Sequence, residues 1–233
     1  MTESGQEQKE PIQPPIEAVE NIEMVGSDPR LSWSYLMNNR GRMWLHPRLS
    51  HSLGHNFVDY GQFGDCTECE NLDLVQVPAG ASVLAKNSIA LETEELRGCI
   101  AVVLQGKNFN VLIHMTPAPT GSSLDYCKKT FDYSSEAGRN YALDNIMAQL
   151  INKGEDIAEI KAIIVHNEIT DYAGVQSVED KLKAQGIRFF SRVKSPVAPT
   201  LVLVTPKKPE AILIAGPKEN KLYKYWISFP GNS

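Results

Sequence analysis

Apolar residues within Ser135–Lys153 recur at helical spacing: Leu143, Ile146, Met147, Leu150 and Ile151 fall on one stripe. The pattern predicts an amphipathic helix, closed by Gly154. Ser177 with Asp180 opens a second helix, which Gly186 ends. Elsewhere the apolar runs are short or alternate with period two, the mark of strands. Ile160–Val165 is one such run, and residues 187–192, 200–205, 211–215 and 222–229 give more. Val75–Lys86 alternates around Pro78-Ala79-Gly80 and reads as strand, turn, strand. Before residue 74 the periodicity fails: Trp33, Tyr35, Trp44, Phe57, Tyr60 and Phe63 alternate with Gly, Asn and Ser. These elements predict an α+β fold in which stacked mixed β-sheets form a sandwich core flanked by a few helices. Residues 1–15, polar and carrying Pro11, Pro14 and Pro15, are expected to form a disordered leader. Residues 16–73 are expected to be an irregular extension packed on the core, and residues 74–233 the main domain.

The segment Cys99–His114 reads as one β-hairpin. Folded about Gly106-Lys107 as a two-residue type II′ turn, it pairs Leu104 with Phe109 and Cys99 with His114. One face then carries Ile100, Val102, Leu104, Phe109, Val111 and Ile113, all apolar and suited to a core. The other carries Ala101, Val103, Gln105, Asn108, Asn110 and Leu112 beside Cys99 and His114, a mixed set suited to a cleft. Directly opposed residues have Cβ atoms roughly 4.5–5.5 Å apart. A thiol and an imidazole at that separation can share a proton, the requirement for an activated cysteine nucleophile.

Composition removes several alternatives. A net charge of −5 argues against a general binder of nucleic acid or anionic membranes. No run approaches the roughly 20 apolar residues that span a bilayer. Met1–Glu10 lacks the basic and apolar regions of a secretory signal, so a soluble protein is expected. Four cysteines (Cys66, Cys69, Cys99, Cys127) are too few for a disulfide scaffold at 233 residues. Cys66-Thr-Glu-Cys69, with His46, His51 and His55 nearby, invites a zinc reading, but structural zinc takes four ligands and a second cysteine pair is absent. No metal is expected. Cys127, beside Lys128 and Lys129, reads as surface, and His166 as a structural histidine at a strand end.

Thr93-Glu-Glu-Leu96-Arg97-Gly98-Cys99, followed by His114, resembles the cysteine-dependent glutamine deamidases. That group includes the chemoreceptor deamidase CheD, the catalytic domain of cytotoxic necrotizing factor and the Burkholderia lethal factor. Its pattern is a threonine shortly before a cysteine, then a histidine on the neighbouring strand; Thr93, Cys99 and His114 fill those places. Leu96-Arg97-Gly98-Cys99 is similar to the Leu-Ser-Gly-Cys of the toxins, with Arg97 in the serine position. His114-Met-Thr-Pro-Ala-Pro119 and Leu222–Trp226 resemble segments of the lethal factor, while Gly98–Leu104 resembles the cysteine strand of CheD. The glycine-rich stretches that follow the central strands of CheD are missing. The motif is closest to the toxins and spans 93–119.

The resemblance implies that 74–233 is a deamidase-like catalytic domain acting on a glutamine of a protein substrate. Cys99 would be the nucleophile, His114 the acid and base, and Thr93 the group that orients the imidazole. Leu96, Arg97 and Gly98 would form the active-site loop. It implies a bacterial protein, cytoplasmic or delivered into a host cell without a signal peptide. The chemistry follows independently. Free cysteine has a pKa near 8.5, so about 3% is thiolate at pH 7. An adjacent imidazole that takes the proton raises that fraction. Attack on a carboxamide would release ammonia, and water would hydrolyse the thioester, with no metal or organic cofactor required. Gly98 would let the backbone turn, so that the Cys99 amide and a neighbour donate to the oxyanion. A CheD-like receptor deamidase, an inactive adaptor on the same fold, a zinc-dependent interaction module, and transglutaminase or protease chemistry stay open at this point.

Overall fold

The computed structural model describes residues 22–24, 33–37, 43–47, 74–77, 79–80, 82–116, 133, 135–218 and 221–231. The strands are β1 (Ile22–Met24), β2 (Trp33–Met37), β3 (Met43–Pro47), β4 (Leu74–Gln76), β5 (Ser82–Lys86), β6 (Ala90–Leu96), β7 (Ile100–Gln105), β8 (Phe109–Met115), β9 (Lys161–His166), β10 (Phe189–Lys194), β11 (Thr200–Val204), β12 (Ala211–Lys218) and β13 (Lys221–Ser228). Among the described residues two α-helices accompany them, α1 (Glu136–Asn152) and α2 (Tyr172–Ala184). The first sheet runs β1-β5-β8-β7-β9-β10 and the second β13-β12-β11-β6-β4-β3-β2. Both are mixed: β9 pairs with β10, and β4 with β3 and β6, in parallel, against antiparallel neighbours elsewhere.

Strand alternation divides the apolar residues into layers. Val83, Ala101, Val103, Leu112, Ile163 and Val165 of the first sheet pack against Leu91, Val202, Val204, Ile212 and Ile214 of the second. The opposite face of the first sheet, with Ile100, Val102, Leu104, Val111, Ile113 and Ile164, packs on Leu143, Ile146, Met147 and Leu150 of α1 and Val175, Val178 and Leu182 of α2. The architecture is therefore α+β, two stacked sheets with helices on one outer face.

Helix α1 begins where its cap chemistry puts it. The Ser135 hydroxyl accepts from Gly138 N at 3.0 Å, and Gly154 follows the last turn with φ +81°. Ile151, expected on the buried stripe, is 52% exposed. Helix α2 starts at Tyr172, ahead of the expected Ser177, because the Asp171 carboxylate accepts from Ala173 N and Gly174 N. Strand β6 was not foreseen. Its Glu92-Thr93-Glu94-Glu95 core is polar in sequence, yet it is held centrally between β11 and β4.

The hairpin forms with a different register. His114 pairs with Ala101, not Cys99, and Gln105 with Asn110. Gly106 does not adopt the positive φ of a type II′ turn. Instead, the carboxylate of Glu155, which is buried, accepts from Lys107 N at 2.6 Å and Asn108 N at 2.7 Å. A Cβ on Gly106 would lie 2.5 Å from that carboxylate, so glycine here permits a close approach. Glu155 thus sets the loop centre one residue later. Because each strand keeps its parity, the face assignments survive. The expected cleft does not: the face shared by Cys99 and His114 is the interior between the sheets.

The strands within 16–73 join both sheets: β1 adds to β5, and β2 and β3 extend the second sheet beyond β4. The leader, Cys66, Cys69, His51, His55 and Cys127 lie outside the described residues.

Candidate active site

Thr93 and His114 meet across the sandwich. Thr93 lies on β6 of the second sheet beside Val202, and His114 on β8 of the first, both fully or nearly fully buried. Thr93 Oγ1 lies 2.7 Å from His114 Nδ1 and 2.8 Å from the Val77 carbonyl. The hydroxyl has one proton and the carbonyl has none, so the hydroxyl donates to Val77 O and accepts from Nδ1–H. That fixes the neutral tautomer and leaves the lone pair on Nε2, which is buried and has no hydrogen-bond partner. Val77 and Gly80 brace both partners, since Gly80 N also donates to His114 O at 2.8 Å.

Cys99 lies between the turn and the first residue of β7, partly exposed, and packs against the inter-sheet core. In the observed register it is the diagonal neighbour of His114, a relationship that sets Cα atoms roughly 7–8 Å apart in regular sheets. The preceding turn depends on Gly98, whose φ is +82°. Leu96 is buried and Arg97 exposed.

The electrostatics differ from an activated ion pair. Burial pushes the Cys99 thiol up to about 11, against a smaller opposing effect of a backbone hydrogen bond from Arg97. Burial alone lowers His114 to about 4. Moving the proton from sulfur to Nε2 is then uphill by about 10 kcal/mol. A charge pair at 4 Å in an effective dielectric of 20 regains only about 4 kcal/mol. Both shifts favour an uncharged pair at rest, against the expected thiolate.

Sequence reasoning missed Asn167. Register carries β7 and β9 past Ala101 and Val165 to bring Asn167 opposite Cys99. Its buried side chain accepts from Gly98 N at 3.3 Å and donates to Leu96 O at 2.5 Å. Ile169 N and Thr170 Oγ1 also reach Asn167 Oδ1, at 3.2 and 3.1 Å, and Thr170 Oγ1 lies 3.3 Å from Cys99 O. The only local signal was an asparagine directly after an apolar strand, in Asn167-Glu-Ile-Thr-Asp171. His166, expected to be a structural histidine, ends β9 with Nδ1 3.2 Å from Asn167 O.

Among the described residues no cluster of His, Cys, Asp and Glu could hold a metal ion. Among them, too, no helix is long and apolar enough to cross a membrane. No family model matches this chain, and no curated protein matches it. Among solved structures it is similar to the C-terminal domain of CNFy from Yersinia pseudotuberculosis, at 11% identity and a TM-score of 0.31. That match covers 67% of this chain and 61% of that one.

Proposed function

We propose that the chain is a cysteine-dependent glutamine deamidase acting on a protein substrate, with Cys99 as nucleophile and His114 as acid and base. The observation that carries the reading is the Thr93–His114 bond, which presents an unprotonated Nε2 on the face that carries Cys99. A neutral imidazole with a bare Nε2 is the form a general base requires. Because thiolate and imidazolium are both unfavourable at rest, sulfur attacks the carboxamide carbon as its proton passes to Nε2. Nε2–H then protonates the leaving nitrogen, and ammonia departs from a Cys99 thioester. Water, deprotonated by the same nitrogen, hydrolyses the thioester to glutamate and restores the thiol. The Leu-x-Gly-Cys setting and the Thr, Cys and His spacing support the same reading.

A second reading rests on the same site. Nε2 is buried and unpaired, and the thiol is raised to about 11, as a binding module that kept the fold without the activity would also have it. Mass spectrometry of a proteome exposed to wild type or Cys99→Ala separates the two. A gain of about 1 Da at one or a few glutamines, with wild type only, supports the enzyme; identical samples support the binding module.

A further inference from the structure

We infer that Asn167 is the positioning residue of the candidate nucleophile, clasping the Leu96–Cys99 turn so that the Cys99 sulfur and amide are held in one orientation. The inference rests on the deamidase reading for its catalytic consequence. Asn167 ties the two sheets together at the end where the site lies. It directly follows β9 of the first sheet, while Leu96 ends β6 of the second. The amide uses both ends: Oδ1 holds Gly98 N–H and Nδ2 holds the Leu96 carbonyl, so both sides of the turn are fixed by one side chain. Thr170 locks that side chain in turn, accepting from Asn167 N at 3.0 Å and reaching its Oδ1 at 3.1 Å.

The clasp also sorts the amides available to a developing oxyanion. Gly98 N–H is committed to Asn167, and the Arg97 backbone to the Cys99 sulfur. The Cys99 N–H, beside the sulfur at the head of β7, is assigned as the local donor for the oxyanion. Gly98 at φ +82° would relax readily without a partner, since glycine has many alternatives.

The test compares wild type with Asn167→Ala, Asn167→Asp and Thr170→Val. It reads iodoacetamide labelling of Cys99 at pH 8, glutamine conversion in a proteome, and thermal unfolding to confirm the folded state. Releasing the turn admits water to the sulfur, so Asn167→Ala is expected to label about tenfold faster or more while converting glutamine at least about tenfold more slowly. Global loosening would also expose the thiol, so the opposed shifts count only in variants whose unfolding midpoint matches wild type. Asn167→Asp keeps the acceptor and loses the donor to Leu96 O. Its conversion relative to wild type should recover as pH falls and the carboxyl protonates. Thr170→Val, which leaves Asn167 in place, should show the same opposed shifts in weaker form and serves if Asn167→Ala does not fold. Folded variants with both rates within about twofold of wild type would overturn the inference. If wild type converts no glutamine beyond Cys99→Ala, the deamidase reading fails, and labelling alone still decides whether Asn167 holds the thiol.

Discussion

Thr93→Val changes one hydroxyl to a methyl at nearly constant volume and isolates the bond on which the site depends. The hydroxyl serves two buried partners, the Val77 carbonyl at 2.8 Å and His114 Nδ1–H at 2.7 Å. Each buried polar group left unpaired costs about 1–3 kcal/mol. The extra apolar methyl offsets roughly 1 kcal/mol, so a net loss of about 1–5 kcal/mol is expected. For a chain of this size that lowers the unfolding midpoint by roughly 2–20 °C. Thr93→Ser keeps the hydroxyl and loses only a methyl, about 1 kcal/mol, and is the matched control. The assay pairs thermal unfolding with nitrogen NMR of the His114 ring. Wild type and Thr93→Ser should show Nδ1 protonated and Nε2 bare, while Thr93→Val loses that preference. If the valine variant unfolds with the serine one and its ring nitrogens are unchanged, the tautomer argument is wrong.

The pH dependence of stability follows from the same site. His114 falls from an ordinary 6.5 to about 4 on folding, so the unfolded chain binds the extra proton between those values. Its contribution is complete above pH 6.5 and is lost as pH drops through 4, about 3 kcal/mol in all; a His114→Gln chain should lack this slope in denaturant titrations. Cys99 works in the other direction: raised to about 11, it contributes fully below its unfolded value and loses that contribution as pH rises through 11. Without substrate, Cys99 should react with iodoacetamide some 300-fold more slowly at pH 7 than free cysteine, and His114→Ala should not change this. A labelling midpoint below pH 8.5 that disappears in His114→Ala would reveal a resting ion pair and refute the neutral assignment. At the far end of the hairpin, Glu155→Ala removes the acceptor for Lys107 N and Asn108 N and should cost about 2–4 kcal/mol by urea unfolding. Gly106→Ala should be similarly harmful, since its Cβ would meet the same carboxylate. A loss under about 0.5 kcal/mol in both would show that Glu155 does not set the loop.

What the sequence determined is what depends on neighbours a few residues away. Side chains on a strand alternate regardless of partner, so the pattern alone puts Val102 and Ile113 on one face and Ala101 and Leu112 on the other. Ser135 and Gly154 marked α1 because capping is a local hydrogen-bonding problem. The motif Thr93, Leu96-x-Gly98-Cys99 and His114 could be read as spacing. Its geometry could not. The hairpin register was decided by Glu155, a carboxylate more than forty residues from the loop it holds. Strand β6 looked polar because Glu92, Thr93 and Glu94, all buried, take their places from strands distant in sequence. Asn167 reaches Leu96 and Gly98 across some seventy residues of chain, a contact no local pattern encodes. The protonation of Cys99 and His114 reversed the sequence expectation for the same reason: desolvation belongs to the folded surroundings, and only the stacking of the two sheets supplies it.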